Sequence, residues 1–179
     1  HTTTGLPGPE TAPVLSVAAH VELMQAHLAA LVGQGVLASS AAARILELAH
    51  RTRPSRFEAG LIHGDFCIDN MVLDSAGELV LIDNESLCVG PLDFDIARAW
   101  CRWPMTDAAR AAFTAGYTQF RDLEAFSAQH QFWALRALLM SVYVHLKHER
   151  PCQPAVAALQ RLGSGAEEGF WASLPLAPR

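Results

Sequence analysis

Two short stretches of the sequence carry side chains of the types and spacing that phosphoryl transfer requires. They are HGDFCIDN, residues 63–70, and VLIDNE, residues 80–85. Asp65 can orient a hydroxyl nucleophile and take its proton late in the transfer. Asn70 and Asp83 provide one neutral and one charged oxygen, a donor set that suits Mg²⁺, which prefers oxygen ligands and keeps several waters while it bridges phosphates. The pattern predicts a site where a phosphate-bearing donor meets a hydroxyl acceptor.

Three neighbouring residues allow more than one interpretation. His63 is a candidate catalytic residue, and we favour a bracing role over direct proton transfer, since an imidazole can hydrogen-bond backbone carbonyl groups. Asp69 is a rival metal ligand, but an Asp next to the start of a strand more often forms a turn. Glu85 can assist the metal site, contact a cationic substrate or lie in solvent. For the whole set, the competing interpretation is a loop whose His, Asp and Asn side chains only cap turns.

A β-hairpin is predicted to bring the two stretches together. Residues 70–74 and 78–82 are short runs rich in Val, Leu and Ile, and their connection ends in Gly77, at a position that must tolerate a positive φ. If the last residue of the first run lies opposite the first residue of the second, Asn70 and Asp83 meet at the open end of the hairpin. This context is more restrictive than the motif alone, so we favour the functional interpretation.

Most of the remaining chain has the periodicity of core-forming helices. Val17, Val21, Met24, Leu28 and Leu31, for example, fall on one helical face. The predicted helices span residues 14–32, 39–51, 94–103, 106–120, 122–147, 155–162 and 167–171.

Two further patterns are interpreted structurally. Residues 33–38 fit the dinucleotide fingerprint G-x-G-x-x-G/A, but that fingerprint needs a preceding strand, and here a helix precedes it. We therefore expect an interhelical loop. In the longest predicted helix, Phe126, Trp133 and Leu138 can pack in the core or line a substrate pocket, and their helical spacing favours the core.

Composition narrows the class of protein. With 179 residues, 51% of them hydrophobic and 17% charged, the chain has the size and apolar content of one globular domain, and no apolar run is long enough for a membrane span. A net charge of −5 gives no support to nucleic-acid binding. The four cysteines form no C-x-x-C pair, which fits reduced thiols in a cytoplasmic protein. Lys147 is the one lysine, so a mechanism that needs a lysine has one candidate.

Three segments together resemble the aminoglycoside phosphotransferase and choline kinase family, which are relatives of the protein kinases. They are residues 63–70, 81–85 and 90–97, and their order and spacing agree with the family. The resemblance implies that Asp65 is the catalytic base, that Asn70 and Asp83 are magnesium ligands, and that Asp95 supports the catalytic loop from beneath. It also implies ATP or GTP as phosphoryl donor and a small-molecule hydroxyl as acceptor. Asn84 stands where the family often has an aromatic residue, which blurs the subfamily.

The resemblance implies an α+β, mainly α-helical fold: the C-terminal lobe of a protein-kinase-like fold, with a small antiparallel hairpin carrying the catalytic loop. It covers residues 14–179, and residues 1–13 are interpreted as a lead-in from a missing N-terminal lobe. The glycine-rich loop, strand lysine and adenine hinge of that lobe are not found in the sequence, and Lys147 lies late in a helix. We therefore expect low activity from the chain alone and an exposed apolar lobe interface open to self-association. The alternative function is a naturally shortened, non-catalytic ligand-binding or regulatory module.

Overall fold

The computed structural model describes residues 13–103 and 105–166, except for the side chain of Ala125. Within these residues the chain is mainly helical, with two small antiparallel sheets, so the predicted fold class is confirmed. The elements in chain order are α1 (Val17–Gly33), α2 (Ser39–Arg51), β1 (Ala59–Ile62), β2 (Met71–Leu73), β3 (Leu79–Leu81), β4 (Cys88–Pro91), α3 (Asp93–Arg102), α4 (Asp107–Tyr117), α5 (Glu124–Lys147) and α6 (Gln153–Gly163).

Helix α1 begins three residues later than the sequence pattern predicts. Ser16 caps it, because its side chain accepts a hydrogen bond of 3.1 Å from the backbone N–H of Ala19. The backbone just before this cap bonds to a strand, since the N–H of Leu15 donates to the carbonyl of Val89 at 2.7 Å. Hydrogen bonding to β4 therefore holds residues that periodicity alone assigned to the helix.

The other predictions for the helices agree with the structure to within a few residues where the structure describes them. Residues 33–38 form the connection between α1 and α2, with Gly35 at a φ of +70°, as expected for an interhelical loop. Thr106 caps α4 by accepting from the N–H of Ala109 at 3.2 Å. Residues 1–12 of the predicted lead-in and the predicted helix 167–171 lie outside the described residues.

The core lies between α1, α3 and α5, with α2 and α6 packed beside them. All five residues of the predicted α1 face are buried, with exposed fractions of 0–7%. In α5, Phe126 and Trp133 are fully buried, which confirms their packing role. Leu138 is also buried, but it lines a pocket as well as the core. The two interpretations of the α5 residues therefore do not exclude each other.

The hairpin of β2 and β3 has the predicted register. Val72 lies opposite Val80. At the open end of the hairpin, the N–H of Ile82 donates to the carbonyl of Asn70 at 2.9 Å. Gly77 has a φ of +80° in the turn, a conformation that most side chains disfavour. The open end of the hairpin therefore brings Asn70 next to the segment that carries Asp83.

A second pair of strands, β1 and β4, was not predicted as a pair. Ile62 lies opposite Cys88 and Gly60 opposite Gly90, in antiparallel register. Strand β4 has only four residues and ends in Gly-Pro, so it lacks the alternation that identifies a strand in sequence. This pairing matters for the candidate site, because β1 leads into the loop of residues 63–70 and β4 leads into α3.

The β2–β3 hairpin exposes large apolar side chains. The exposed fractions are 70% for Leu73, 63% for Leu79, 41% for Val72, 39% for Val80 and 40% for Ile82. Leu73 and Leu79 are cross-strand neighbours on one face of the hairpin and Val72 and Val80 on the other, so both faces expose apolar side chains. Exposed apolar surface is typical of a site that another structural element covers. No helix among residues 13–103 and 105–166 has both the length and the hydropathy needed to cross a membrane.

The core contains an uncharged histidine, His20. Its ring lies 4.7 Å from the ring of Phe94 and 5.1 Å from that of Trp133, and its Nδ1 accepts from Nε of Arg136 at 3.3 Å. Burial, and then the charge of Arg136, lower the pKa of His20 from 6.5 to about 3. The folded chain therefore keeps this ring neutral at pH values where the unfolded chain protonates it.

Acid should destabilise the protein through His20. As the pH falls below 6.5, the unfolded state binds one proton more than the folded state, until the pH reaches about 3. The free energy of unfolding should therefore fall by about 1.4 kcal/mol per pH unit from this group. In His20→Gln this pH-dependent part of the free energy of unfolding should be missing. Urea unfolding at several pH values between 6.5 and about 3 would measure it.

The exposed His148→Gln variant is the control and should keep the wild-type slope. Identical pH slopes for wild type and His20→Gln would contradict the assignment.

Candidate active site

The loop of residues 63–70 is anchored by a carboxylate of α3. Asp95 accepts a 2.7 Å hydrogen bond from the N–H of His63 on one oxygen and a 3.0 Å bond from the N–H of Gly64 on the other. Burial raises the pKa of Asp95, and these two bonds counteract only part of the rise. The geometry places Asp95 under the loop, where the resemblance implies a supporting role.

Gly64 is required by the tight approach of the next loop segment. Its φ is +78°, and a Cβ at this position would lie 2.8 Å from the carbonyl oxygen of Ser86. Both the backbone conformation and the available space therefore favour glycine. The contact holds the loop against the turn that follows Asp83.

His63 is buried, and both of its ring nitrogens have partners. Nδ1 lies 3.3 Å from the N–H of Asp65, and Nε2 lies 3.0 Å from the carbonyl oxygen of Ile82. The backbone N–H can only donate and the carbonyl can only accept, so the ring is the tautomer with its proton on Nε2. This arrangement links the loop to the hairpin and supports the bracing interpretation of His63 over direct proton transfer.

Asp65 lies between two arginines and the amide of Asn70. One carboxylate oxygen, Oδ1, contacts Nη2 of Arg98 and lies 3.9 Å from Nη1 of Arg102. The other, Oδ2, is 3.3 Å from Nδ2 of Asn70. Burial raises the pKa of Asp65, but the charge and hydrogen bond of Arg98, together with the charge of Arg102 and the hydrogen bond of Asn70, hold the pKa below its ordinary value. The side chain keeps 30% of its surface exposed, which leaves room for an acceptor hydroxyl.

The sequence analysis missed both arginines. Arg98 is 1% exposed, and its other terminal nitrogen, Nη1, donates to Oγ of Ser141 at 3.2 Å. Arg102 forms a 2.9 Å ion pair with Asp69. The available signal was helical spacing, because Arg98 follows Asp95 by one turn of α3 and so shares its face. The pairing with Arg102 gives Asp69 a role other than the metal ligation that was considered for it.

Asn70 contacts Asp65, and Asp83 directly follows Ile82, whose N–H bonds to the carbonyl of Asn70. The amide nitrogen of Asn70 donates to the carbonyl of Asp65 at 2.9 Å, which directs its donor inward and leaves its oxygen as the free acceptor. Asp83 is exposed and has a φ of 62° and a ψ of 53°, a left-handed conformation that is uncommon outside glycine and concentrates at functional sites. Glu85 is exposed on the single 3-10 turn, Asn84–Ser86, that follows.

These donors fit magnesium and do not fit a fully protein-ligated metal. In the part of the chain that the structure describes, no group of three or more His, Cys, Asp or Glu side chains is arranged to hold a metal ion. One carboxylate and one amide oxygen are sufficient for Mg²⁺, which retains waters and binds donor phosphates in its remaining positions. Asn70 and Asp83 would therefore hold the ion only together with a phosphate-bearing donor.

Removing the Asp95 carboxylate should release the loop. In Asp95→Ala, the amides of His63 and Gly64 lose their acceptors, and their hydrogen exchange should accelerate by about tenfold or more, the effect of losing a bond to a charged group. Asp74→Ala is a matched control, because Asp74 also accepts from two backbone amides, those of Ala76 and Glu78. In Asp74→Ala the exchange rates of the His63 and Gly64 amides should stay at their wild-type values. Unchanged rates in Asp95→Ala would rule out Asp95 as the anchor of the loop.

Replacing Arg98 should change the titration of the proposed base. In Arg98→Met the favourable charge is lost while burial remains, so the pKa of Asp65 should rise, as measured by carbon-13 NMR of its carboxyl group. Arg121→Met is the matched control, because it breaks a different ion pair, that with Glu58 at 2.6 Å. If the pKa of Asp65 moved equally in both variants, a specific effect of Arg98 would be excluded.

Comparisons with known proteins identify the family of the chain. A family model described as the phosphotransferase enzyme family matches residues 2–130, well over half of the chain. A solved structure, that of an aminoglycoside-3'-phosphotransferase of type VIII, is similar with 19% identity and a TM-score of 0.40. The similarity covers 85% of this chain and 51% of that protein, so the chain spans about half its length. No curated protein matches. The chain belongs to the phosphotransferase enzyme family.

Proposed function

We propose that this chain is the C-terminal lobe of an ATP- and magnesium-dependent phosphotransferase that phosphorylates a hydroxyl group of a small molecule. The observation that carries the proposal is the constellation at Asp65. Its carboxylate is held by Arg98, lies beside the amide of Asn70 and remains partly exposed. A cytoplasmic location is part of the same proposal, since ATP and reduced cysteines both belong to that compartment.

Asp65 positions the acceptor in this reaction. Its partly exposed carboxylate accepts a hydrogen bond from the acceptor hydroxyl and directs the oxygen at the terminal phosphorus. The new oxygen–phosphorus bond forms as the bond to the leaving diphosphate breaks, and the hydroxyl proton passes to Asp65 late in the step. Because that transition state is loose, a carboxylate of lowered pKa is adequate, and orientation matters more than basicity.

Asn70 and Asp83 would hold magnesium against the donor phosphates. When bound, the ion neutralises the charge that develops on the transferred group and on the leaving diphosphate. His63 and Asp95 do not touch the reacting atoms in this proposal. They keep the loop and the hairpin in register, so that the base and the two metal ligands face the same space.

The apolar hairpin supports the presence of a second lobe in the full protein. Leu73 and Leu79 are more than half exposed on an element that adjoins the metal ligands. We propose that an N-terminal lobe covers this surface and supplies the nucleotide contacts, and that the isolated chain uses the same surface to self-associate. Lys147 ends α5 and is exposed, which does not suit a role at the phosphates.

Asp65→Asn in the full-length protein tests the proposal. Transfer to a hydroxyl acceptor should fall by about 100- to 10,000-fold, the range for loss of a general base, while circular dichroism and thermal unfolding stay close to wild type. Asp107→Asn, at the exposed start of α4, is the control for loss of a surface carboxylate and should keep full activity.

Retained transfer in Asp65→Asn would exclude Asp65 as the base. Absence of transfer in the wild-type full-length protein, together with ligand binding, would favour the non-catalytic module. Turnover by the 179-residue chain alone at ordinary kinase rates, about 1 to 100 per second, would exclude the need for a second lobe.

A further inference from the structure

A pocket lies between the last turn of α3, the second half of α5 and the start of α6. Its volume is about 350 Å³, at the small end of the range for ligand sites. The side chains that line it include Cys101, Arg102, Leu138, Ser141, His145 and Ala155. The lining is largely apolar with a few polar groups, which is the usual character of a small-molecule site.

This pocket adjoins the proposed base through two side chains. Arg102 lines the pocket, and its Nη1 is 3.9 Å from Oδ1 of Asp65. Ser141 also lines it and accepts from Nη1 of Arg98, the arginine that contacts Asp65. Arg102 directly, and Ser141 through Arg98, therefore connect the wall of the pocket with the carboxylate of Asp65.

The charges around the pocket do not favour a cation. Among the described residues, no Asp or Glu lines it, and its titratable side chains of basic type are Arg102 and His145. The two carboxylates nearest to Arg102, those of Asp65 and Asp69, are already matched by the two guanidinium groups of Arg98 and Arg102. An ammonium group buried here would lose its water without gaining a carboxylate partner.

We infer that this pocket binds the acceptor and selects a small, largely apolar alcohol that carries no positive charge, with Arg102 as the residue that sets this preference. The inference rests on the proposed function for the identity of the ligand as an acceptor. Leu138 and Ala155 provide apolar contact surface, and Arg102 favours neutral or anionic substituents over ammonium groups. A polycationic acceptor has neither the space nor the carboxylate partners it requires in the described part of this pocket.

Three probes of similar size isolate the effect of charge. They are 1-phenyl-1,2-ethanediol, which is neutral, mandelate, which is anionic, and phenylglycinol, which is cationic. Each is titrated into the methyl-labelled 179-residue chain without nucleotide or magnesium, and the methyl signals of Leu138 and Ala155 report binding. Leu46 is the internal control, because it lines a groove of similar volume, about 340 Å³, between α1 and α2.

The diol and mandelate should shift the Leu138 and Ala155 signals and leave Leu46 unchanged. Phenylglycinol should bind about tenfold more weakly or worse, because its ammonium group would be buried without a partner. Equal or tighter binding of phenylglycinol, shifts at Leu46 of the same size, or no shift with any probe would each overturn the inference.

Arg102→Glu should reverse the order, so that phenylglycinol binds more tightly than mandelate. Arg53→Glu makes the same charge change at an exposed position outside the pocket lining and should preserve the wild-type order. An unchanged order in Arg102→Glu would exclude Arg102 as the residue that sets the preference. Arg102→Gln, which removes the charge without adding a new one, should give an intermediate result and keeps the test valid if Arg102→Glu does not fold.

The result is separable from the test of the proposed function. Binding of the neutral and anionic probes without phosphoryl transfer in the full-length protein would support the pocket and contradict the proposed reaction. Transfer to a polycationic acceptor, with no probe binding at Leu138 and Ala155, would support the reaction and contradict the pocket.

Discussion

The half-buried carboxylate of Asp95 is the group on which the rest of the candidate site depends. Burying a charged group is unfavourable unless strong hydrogen bonds satisfy it, and here the N–H groups of His63 and Gly64 do so. The bonds fix the direction of the chain as it leaves β1. The His63 ring then reaches the carbonyl of Ile82 and so fixes the hairpin relative to the loop. One helix residue therefore determines where Asp65, Asn70 and the segment of Asp83 can lie.

Electrostatic balance near Asp65 follows from the same helix. Arg98 and Arg102 extend from α3 toward the loop, where they meet the carboxylates of Asp65 and Asp69. Arg98 is almost fully buried, so its charge is weakly screened and acts strongly on Asp65. Asp65 is thereby kept ionised and oriented, with part of its carboxylate still exposed.

Local signals in the sequence predicted the hairpin but not its surroundings. The register of β2 and β3 could be predicted because the glycine turn and the two apolar runs are adjacent in the chain, and the structure confirms it. The pairing of β1 with β4 and the contact of Arg98 with Asp65 could not, since each joins segments about thirty residues apart. An Arg in a helix has many possible partners, and only the packing of α3 beneath the loop selects Asp65.

The hydrogen bonds that shape the loop of residues 63–70 all fall within one continuous segment of the chain. The separations are 19 residues for His63 and Ile82, 31 and 32 for the two Asp95 bonds, and 33 for Arg98 and Asp65. Loop-closure entropy grows only slowly with length, so separations of 19 and 33 residues differ little in this cost. The segment from β1 to α3 is thus continuous in sequence, and a gene rearrangement that kept it intact would transfer Asp65, its anchor Asp95, Asn70 and Asp83 together.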